Sequence, residues 1–495
     1  MRIAFVAPES DPILKVGGLA DVVGSLPREL RKLGHDVEIY IPHFGAMRHG
    51  HLGELTDEGA VTVLQEPLPA SARVLGATVR GVPVHLIDCP ELFEREPHPY
   101  GSYDDTPARY GFFALAVLEA MSRDGWTPDA IHLHDWTTGL LPVYRSLRYK
   151  NGPLGKAGIL FTIHNVAHPG SCSAAWMRAL GLPYDLFRWD QLEFQGTLSF
   201  LKGGILWSTM VSTVSPTYAK EIQWPPLGCG MDGVLRFRTR DLVGIVNGID
   251  PEVWNPAKPA DRDRGLWASY AVDAMEGKEV NRAMLRQELG LADEPAMPLF
   301  GFISRLDHQK GVSALLEAMP QFLAGGTQLA VLGDGADHYR NELKRLADRF
   351  PGHVAGGLEF NPVLAERIYA ASDFFLMPSK FEPCGLAQMI AARYGSVPVV
   401  ARTGGLADTI VDADENRDGN GFVFPTPVSM NDQEWTPMAS ASLADAIRRA
   451  WGAWSDRARY EALRRRAMLT DFSWRRSAER YVEVYEEAAR RERAG

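Results

Sequence analysis

Four stretches of this chain combine residue types that handle anions and sugars. The first is Lys15-Val16-Gly17-Gly18-Leu19-Ala20-Asp21. Paired glycines let backbone approach a phosphate, the start of a following helix favours an anion, and Lys15 adds a positive charge. The pair fits neither GxGxxG nor GxxxxGK[ST], so alone it reads as a glycine turn into a helix. The second is Ser304-Arg305-Leu306-Asp307-His308-Gln309-Lys310-Gly311, where two cations follow a strand. Arg305 and Lys310 suit a diphosphate leaving group, and equally suit a solvated surface.

The third stretch is Pro378-Ser379-Lys380-Phe381-Glu382-Pro383-Cys384-Gly385-Leu386-Ala387-Gln388. A strand runs into a loop that ends at a helix start near Gly385. There the amides of Gly385, Leu386 and Ala387 can point at phosphate oxygens. Glu382 is placed to accept from sugar hydroxyls, or to cap the helix. The fourth is His132-Leu133-His134-Asp135-Trp136 with Ile163-His164-Asn165, each at the end of a strand. Asp135 beside Trp136 suits a sugar, with the acid for hydroxyls and the indole for the apolar ring face. His132 and His134 share a strand face, as metal ligands can, but no third ligand accompanies them, so no metal is expected. The acidic run Asp412-Ala413-Asp414-Glu415-Asn416-Arg417-Asp418-Gly419 fails as a calcium loop. Its glycine falls at the eighth place rather than the sixth, and Val423 stands where Glu is needed, so it reads as a polar hairpin loop.

These residues need a scaffold that brings strand ends together. Residues 2–7 read as a strand, 19–33 as a helix with an apolar stripe interrupted by Pro27, and 36–41 as a second strand. Further strands are predicted at 82–87, 130–134, 159–164 and 209–214. The same grammar restarts at Leu299, with strands at 299–304, 328–332, 373–378 and 397–402. Helices at 313–323, 339–349, 363–371 and 386–394 lie between them. Alternating strands and helices predict an α/β architecture of two doubly wound, Rossmann-like domains with a cleft between them. The turn-rich Asn247-Gly248-Ile249-Asp250-Pro251 marks the boundary, and a last helix is predicted at about 477–491.

Size and composition agree. With 495 residues, two domains are expected; with 45% hydrophobic and 23% charged residues, two cores are affordable. A net charge of −10 argues against nucleic acid as a partner. The four cysteines, Cys89, Cys172, Cys229 and Cys384, are dispersed without a CxxC pair, as suits a reducing compartment. No apolar run reaches membrane-spanning length, and the apolar start is too short for a signal peptide, so a cytoplasmic location is expected.

In this order, residues 15–21, 134–136, 162–165, 244–250, 304–311, 378–388 and 403–408 resemble the bacterial glycogen synthase and plant starch synthase family. The resemblance runs from near residue 1 to about 480. It implies a glycosyltransferase of the GT-B fold: residues 1–246 as the acceptor-side domain, 247–471 as the nucleotide-sugar domain, and a helix at about 472–495 crossing back to the first. It further implies ADP-glucose as donor, an α-1,4-glucan as acceptor, retention of configuration, and no metal or other cofactor. By the same resemblance Lys15, Arg305 and Lys310 bind the diphosphate. Asp135 and His164 bind glucose with Asn165 and Asn247 nearby, and the His164 carbonyl faces the anomeric carbon. Glu382 contacts the glucose hydroxyls, with Cys384 in the same loop. Asp21 and Tyr103 lie on the adenosine side, and Phe360 stacks on the base. Gly17 and Gly18 approach the donor phosphates, and Trp136 the sugar.

The chain departs from the family pattern in places. Val16 replaces a frequent Thr, Glu359 a Gly, Ala387 a Thr, and His168-Pro169-Gly170-Ser171 stands where a Tyr-Gln-Gly type sequence is usual. The last bears on the acceptor. Ile390 occupies the position where many related transferases carry a second Glu. No carboxylate in these motifs is an evident covalent nucleophile. The expected course is therefore same-face substitution, with the leaving phosphate taking the acceptor proton. The alternatives are a related transferase using UDP-glucose or another acceptor, and a catalytically silent glucan-binding protein on the same fold.

Overall fold

The computed structural model describes residues 1–494 except 95–98, 102, 124, 262–264, 360 and 430. The chain folds as two units, one of Met1–Gly248 with Trp474–Gly495 and one of Ile249–Ser473.

In the first unit, strands β1 to β7 are Arg2–Val6, Asp36–Pro42, Thr56–Thr62, Ser71–Val79, Val82–Asp88, Ala130–His134 and Gly158–Ile163. Three short strands, β8 (Ser171–Cys172), β9 (Glu193–Phe194) and β10 (Thr197–Ser199), form a small antiparallel sheet of their own. With β11 (Met210–Thr213) and β12 (Leu242–Gly244), the main sheet runs β12-β11-β7-β6-β1-β2-β5-β4-β3. Its central strands are parallel, and β6 and β7 are buried along their whole length, because helices cover both faces.

One edge departs from the predicted alternation of strands and helices. Strand β4 is antiparallel to both β3 and β5. Only Arg80 and Gly81 separate β4 from β5, with φ of 49° and 80°. Two residues cannot make a crossover, and two positive φ values give the tight turn whose twist matches a hairpin. Arg-Gly is an uncommon carrier of that turn, and β3 is mostly exposed, so neither strand stood out in the residue pattern.

The second unit contains β13 (Leu299–Ile303), β14 (Gln328–Leu332), β15 (Val354–Gly357), β16 (Phe374–Met377), β17 (Val397–Ala401) and β18 (Phe422–Phe424). Their order, β15-β14-β13-β16-β17-β18, is all parallel, and in sequence terms it is the 3-2-1-4-5-6 order of dinucleotide-binding folds. The helix predicted over 313–323 is split into Val312–Ala318 and Pro320–Leu323, since Pro320 has no amide hydrogen to continue the ladder. Under the sheet, Arg282 donates to Asp373 at 3.0 Å, and the same carboxylate accepts from the Leu299 amide at 2.8 Å. Both side chains are buried, so either one alone would be an uncompensated interior charge. The acidic loop at 412–419 is likewise structural. Asp412 and Asp414 are both paired with Arg449, and Asp412 also accepts from the Val423 amide.

The last helix, Trp474–Ala494, belongs to the first unit. It lies against β7 at a glycine: a Cβ on Gly158 would sit 2.4 Å from backbone atoms of Ala488 and Ala489. Tyr485 reaches His132 Nδ1 at 2.8 Å, while Arg491 pairs with Asp241 at 2.6 Å and Arg493 with Asp129 at 2.5 Å. Among the described residues no helix is long and apolar enough to cross a membrane. Gly158→Ala should force the helix off the sheet and cost about 1–3 kcal/mol. Urea unfolding followed by tyrosine and tryptophan fluorescence measures this, and an unchanged midpoint would mean that the helix is not seated by that contact.

Candidate active site

Each unit collects its chemistry at the point where strand order reverses. In the first unit that point lies between β1 and β6, in the second between β13 and β16. The loops leaving two neighbouring parallel strands diverge there, which opens a crevice at their carboxyl ends.

After β1 comes Glu9, which residue-pattern reasoning passed over. Its side chain is buried and accepts from the amides of Val16 at 2.5 Å and Gly17 at 3.2 Å, and from the Tyr100 hydroxyl at 2.9 Å. The amides ahead of the helix Gly18–Lys32 thus already hold an anion supplied by the chain itself. Burial raises the Glu9 carboxyl above its usual range, against the lowering effect of these three donors. Gly17 and Gly18 remain exposed. Lys15 pairs with Asp21 at 2.5 Å, and burial raises Asp21 more than the lysine lowers it.

After β6 comes Asp135, whose backbone has φ 57° and ψ −177°, a region that glycine occupies readily and other residues rarely. Its Oδ1 accepts from the amides of His164 at 2.7 Å and Asn165 at 3.4 Å. The carboxylate therefore fixes the end of β7 beside the end of β6. Desolvation pushes its pKa up to about 7, against those two amides. His164 Nε2 lies 3.0 Å from His134 Nδ1, and His132 Nε2 lies 2.6 Å from the Thr162 hydroxyl. Burial holds His132 and His134 well below the usual imidazole range and His164 down to about 3, so all three are neutral at pH 7. Among the described residues no group of three or more His, Cys, Asp or Glu side chains is arranged to hold a metal ion. Asn247 is buried just beyond β12, and its Oδ1 has no hydrogen-bond partner among the described residues.

Trp136 and Tyr103 line one cavity of about 490 Å³, with Trp176, Phe200 and the segment 168–173. Gly170, at φ 58°, lies flat against the indole; a Cβ there would be 2.6 Å from Trp136. The carbonyls of Pro169 and Gly170 accept from the Leu201 and Phe200 amides, and the Ser199 hydroxyl also donates to Pro169 at 2.8 Å. The segment that departs from the family pattern is therefore a wall of this cavity, packed on the tryptophan.

In the second unit Arg305 follows β13, its side chain 69% exposed, with Asp307 at 3.2 Å and Gln309 Oε1 at 3.3 Å. Lys310 ends a short 3-10 turn capped by Asp307. Its Nζ donates to Glu382 Oε2 at 2.6 Å, and the Ser379 hydroxyl donates to the same oxygen at 3.0 Å. The Lys310 and Glu382 side chains are only 18% and 7% exposed. Beside them Gly385 has φ 74°, and among the described residues the amides of Gly385, Leu386 and Ala387 make no hydrogen bond. These three residues span the start of the helix Ala387–Arg393 and are half-buried, next to buried Cys384. Phe360 lies outside the described residues.

Three glycines allow this closeness. A Cβ on Gly311 would sit 1.9 Å from the Pro378 carbonyl oxygen, one on Gly404 1.9 Å from that of Glu382, and one on Gly405 2.2 Å from that of Cys384. The Thr403-Gly404-Gly405-Leu406 stretch thus serves to pack one loop on another. Buried Lys380 adds a clamp by pairing with Asp432 beneath the ring of Trp435.

Residues 2–237 match the family described as starch synthase catalytic domain, and 297–449 that of glycosyl transferases group 1. The glycogen synthase of Geotalea uraniireducens (strain Rf4) is 40% identical over 493 residues, covering 98% of each chain. That of Thioalkalivibrio sulfidiphilus (strain HL-EbGR7) is 41% identical over 504 residues, 98% of this chain and 99% of its own. The catalytic domain of starch synthase IV from Arabidopsis thaliana, solved with ADP and acarbose, superposes with a TM-score of 0.88 at 36% identity, covering 98% of this chain and 99% of that one. A sucrose-phosphate synthase from Thermosynechococcus elongatus, 18% identical with a TM-score of 0.58 and covering 98% of each chain, shares the fold. With two Rossmann-like units, polar groups gathered at both strand-order reversals and full-length relatives at these identities, the chain belongs to the glycogen synthase and starch synthase family of GT-B glycosyltransferases.

Proposed function

We propose that the protein transfers glucose from ADP-glucose to the non-reducing end of an α-1,4-glucan with retention of configuration. The observation that carries the donor half is the Lys310–Glu382 pair at 2.6 Å, its acid in the same loop as the amides of Gly385, Leu386 and Ala387, which make no hydrogen bond among the described residues. A cation held by a buried acid, next to amides without a hydrogen bond among the described residues, suits a diphosphate on one side and sugar hydroxyls on the other. Arg305 has most of its guanidinium in solvent and supplies the planar fork that a phosphate takes in bidentate fashion. Lys15 is a third cation, and Asp21, its partner at 2.5 Å, is assigned to the nucleoside side; Tyr103, expected there from the resemblance, lines the cavity of Trp136 and is assigned to the acceptor. The starch synthase IV domain solved with ADP and acarbose supports both ligand classes.

Asp135 and His164 are assigned to the glucosyl unit, with Asn165 and Asn247 close to it. The neutral imidazoles leave the region without positive charge, as suits an anomeric carbon that becomes electron-poor. The His164 carbonyl is the group assigned to face that carbon. Breaking the glycosidic bond puts negative charge on the diphosphate, which Arg305 and Lys310 stabilise, and the leaving phosphate accepts the acceptor hydroxyl's proton. The acceptor is assigned to the cavity of Trp136, where ring faces meet sugar C–H surfaces and the 168–173 wall sets chain fit.

Release of nucleoside diphosphate from ADP-glucose and UDP-glucose, each with and without glycogen, tests the whole assignment. Glycogen-dependent turnover with a higher kcat/KM for ADP-glucose is expected. Equal or reversed values would reject the donor assignment, and no turnover with either would reject the activity.

Lys310→Met should lower kcat by about 10²–10³, or roughly 3–4 kcal/mol, as loss of one transition-state donor does. It should also destabilise the fold, because Glu382 is left buried without its cation. Adding Glu382→Gln should recover stability without recovering kcat. Arg305→Lys should remain impaired. Wild-type kcat in a folded Lys310→Met protein would remove the charge-stabilisation role.

Asp135 has a folded pKa near 7, above the usual carboxylate value. Between pH 4 and 7 the folded state then binds more protons than the unfolded one, so this group's contribution to stability falls as pH rises through that window. Asp135→Asn keeps an acceptor for the two amides and removes the buried charge. It should raise the melting temperature at pH 8 by roughly 2–4 °C per kcal/mol relieved, leave it nearly unchanged at pH 4, and lower kcat. A loss of stability at pH 8 would show that the ionised form is the one the fold prefers.

A further inference from the structure

We infer that the excursion 166–199 carries a second sugar-binding surface outside the cavity: a platform on which an α-glucan chain stacks, formed by Trp189 and Tyr184. It rests on the assignment of an α-glucan as acceptor and names a further contact with that substrate.

Trp189 is 80% exposed and Tyr184 69% exposed, among the most exposed large side chains of the protein. Exposure alone would mean little, but the loop beneath is held firmly. Leu192 and Phe187 amides close it onto Leu186 and Tyr184, and those of Gln191 and Glu193 onto Arg188. The Lys202 side chain, from a buried residue, donates to the Trp189 carbonyl and, at 2.6 Å, to that of Glu193. A desolvated ammonium costs free energy, and here it serves a loop whose outer side presents two rings to water. A loop backbone fixed before contact loses little entropy when a ligand arrives.

The groups beside the rings indicate which ligand. Arg188 forks onto Asp190 at 3.0 and 2.5 Å, which sets a planar donor and acceptor array on either side of the Trp189 position, and Asp185 follows Tyr184. A stable docking face for a protein buries about 800 Å² on each partner, more than two separate rings supply. Single rings bordered by planar hydrogen-bonding groups instead match a sugar, with C–H faces on the ring and vicinal hydroxyls on the fork. Asp135 with Trp136 is the same pairing.

The platform is continuous with the cavity wall. Ser171 and Cys172, which line the cavity, form β8, paired with β10; β9, on the other side of β10, begins four residues after Trp189. Phe200 also lines the cavity and opens the helix Phe200–Trp207, which carries Lys202 two residues later. One sheet and one helix therefore position both. A long chain can use both surfaces and a short one only the cavity.

The test compares wild type with Trp189→Ala, Tyr184→Ala/Trp189→Ala and Trp189→Phe, using saturating donor and either maltotriose or glycogen. Expected are unchanged kcat and KM with maltotriose, a glycogen KM raised on the order of five- to tenfold in the double variant, and partial recovery in Trp189→Phe. An unchanged glycogen KM would overturn the inference, as would an equal rise for both acceptors. Retention of the same variants on a glycogen-containing native gel reads binding without turnover. Weaker retention than wild type supports the platform even if the assigned reaction fails, and equal retention rejects it. Altered sedimentation with unchanged glycogen retention would assign the rings to contact with another protein chain and overturn the inference.

Discussion

The second unit is organised around one buried ion pair. Lys310 and Glu382 come from loops after neighbouring strands β13 and β16, and they meet at 2.6 Å with little solvent around them. Burying two charges is repaid only if the geometry is good and the remaining lone pairs are met. Ser379 supplies the second donor to Glu382, and Gln309 ties the two loops together by donating to the Phe381 carbonyl and accepting from the Lys380 amide. Loops that close leave no room for Cβ atoms, and glycine stands at Gly311, Gly404 and Gly405 for that reason. The approach of three backbone segments is what holds the lysine fixed, and a fixed cation needs no reorganisation when charge develops beside it.

In the first unit two buried acids are met without a cation. Glu9 and Asp135 are acids at the reversal between β1 and β6, and each is met chiefly by backbone amides. Amides satisfy lone pairs but carry no net charge, so burial wins and both carboxyls are raised. The histidines nearby are held neutral by the same desolvation. The two units thus differ in electrostatic character. The second presents Arg305 and Lys310, as suits a diphosphate; the first presents an exposed cation, Lys15, and otherwise hydrogen-bonding groups and aromatic rings, as suits sugars.

The positive φ of Asp135 belongs to the same economy. Glycine would relieve the backbone strain there but would supply no acceptor for the His164 and Asn165 amides. The strain is retained, at a cost of about 1–3 kcal/mol, because the side chain joins the ends of β6 and β7. Gly170 on the face of Trp136 is the complementary case: backbone stands where a side chain would fill the space beside the ring.

Much of the fold was legible in the residues. Apolar runs and helical stripes marked most central strands of both sheets, because a parallel strand covered on both faces must be apolar throughout. The β3–β4–β5 edge was not, since an exposed strand and an Arg-Gly turn leave little signal in the pattern. The types and order of Lys15, Asp135, His164, Arg305, Lys310 and Glu382 were also in the sequence, as was the likeness to glycogen and starch synthases. What spacing could not supply was which groups pair. Lys310 and Glu382 are 72 residues apart, and Tyr485 and His132 are 353 apart. Glu9 gave no sign that it would occupy the amides of the glycine loop, nor Thr403-Gly404-Gly405 that its glycines serve backbone contact. Composition and periodicity follow from solvent and from each segment's own geometry, which the chain carries locally. Partners, burial and the pKa shifts they cause arise only when the order of strands brings distant loops to one edge.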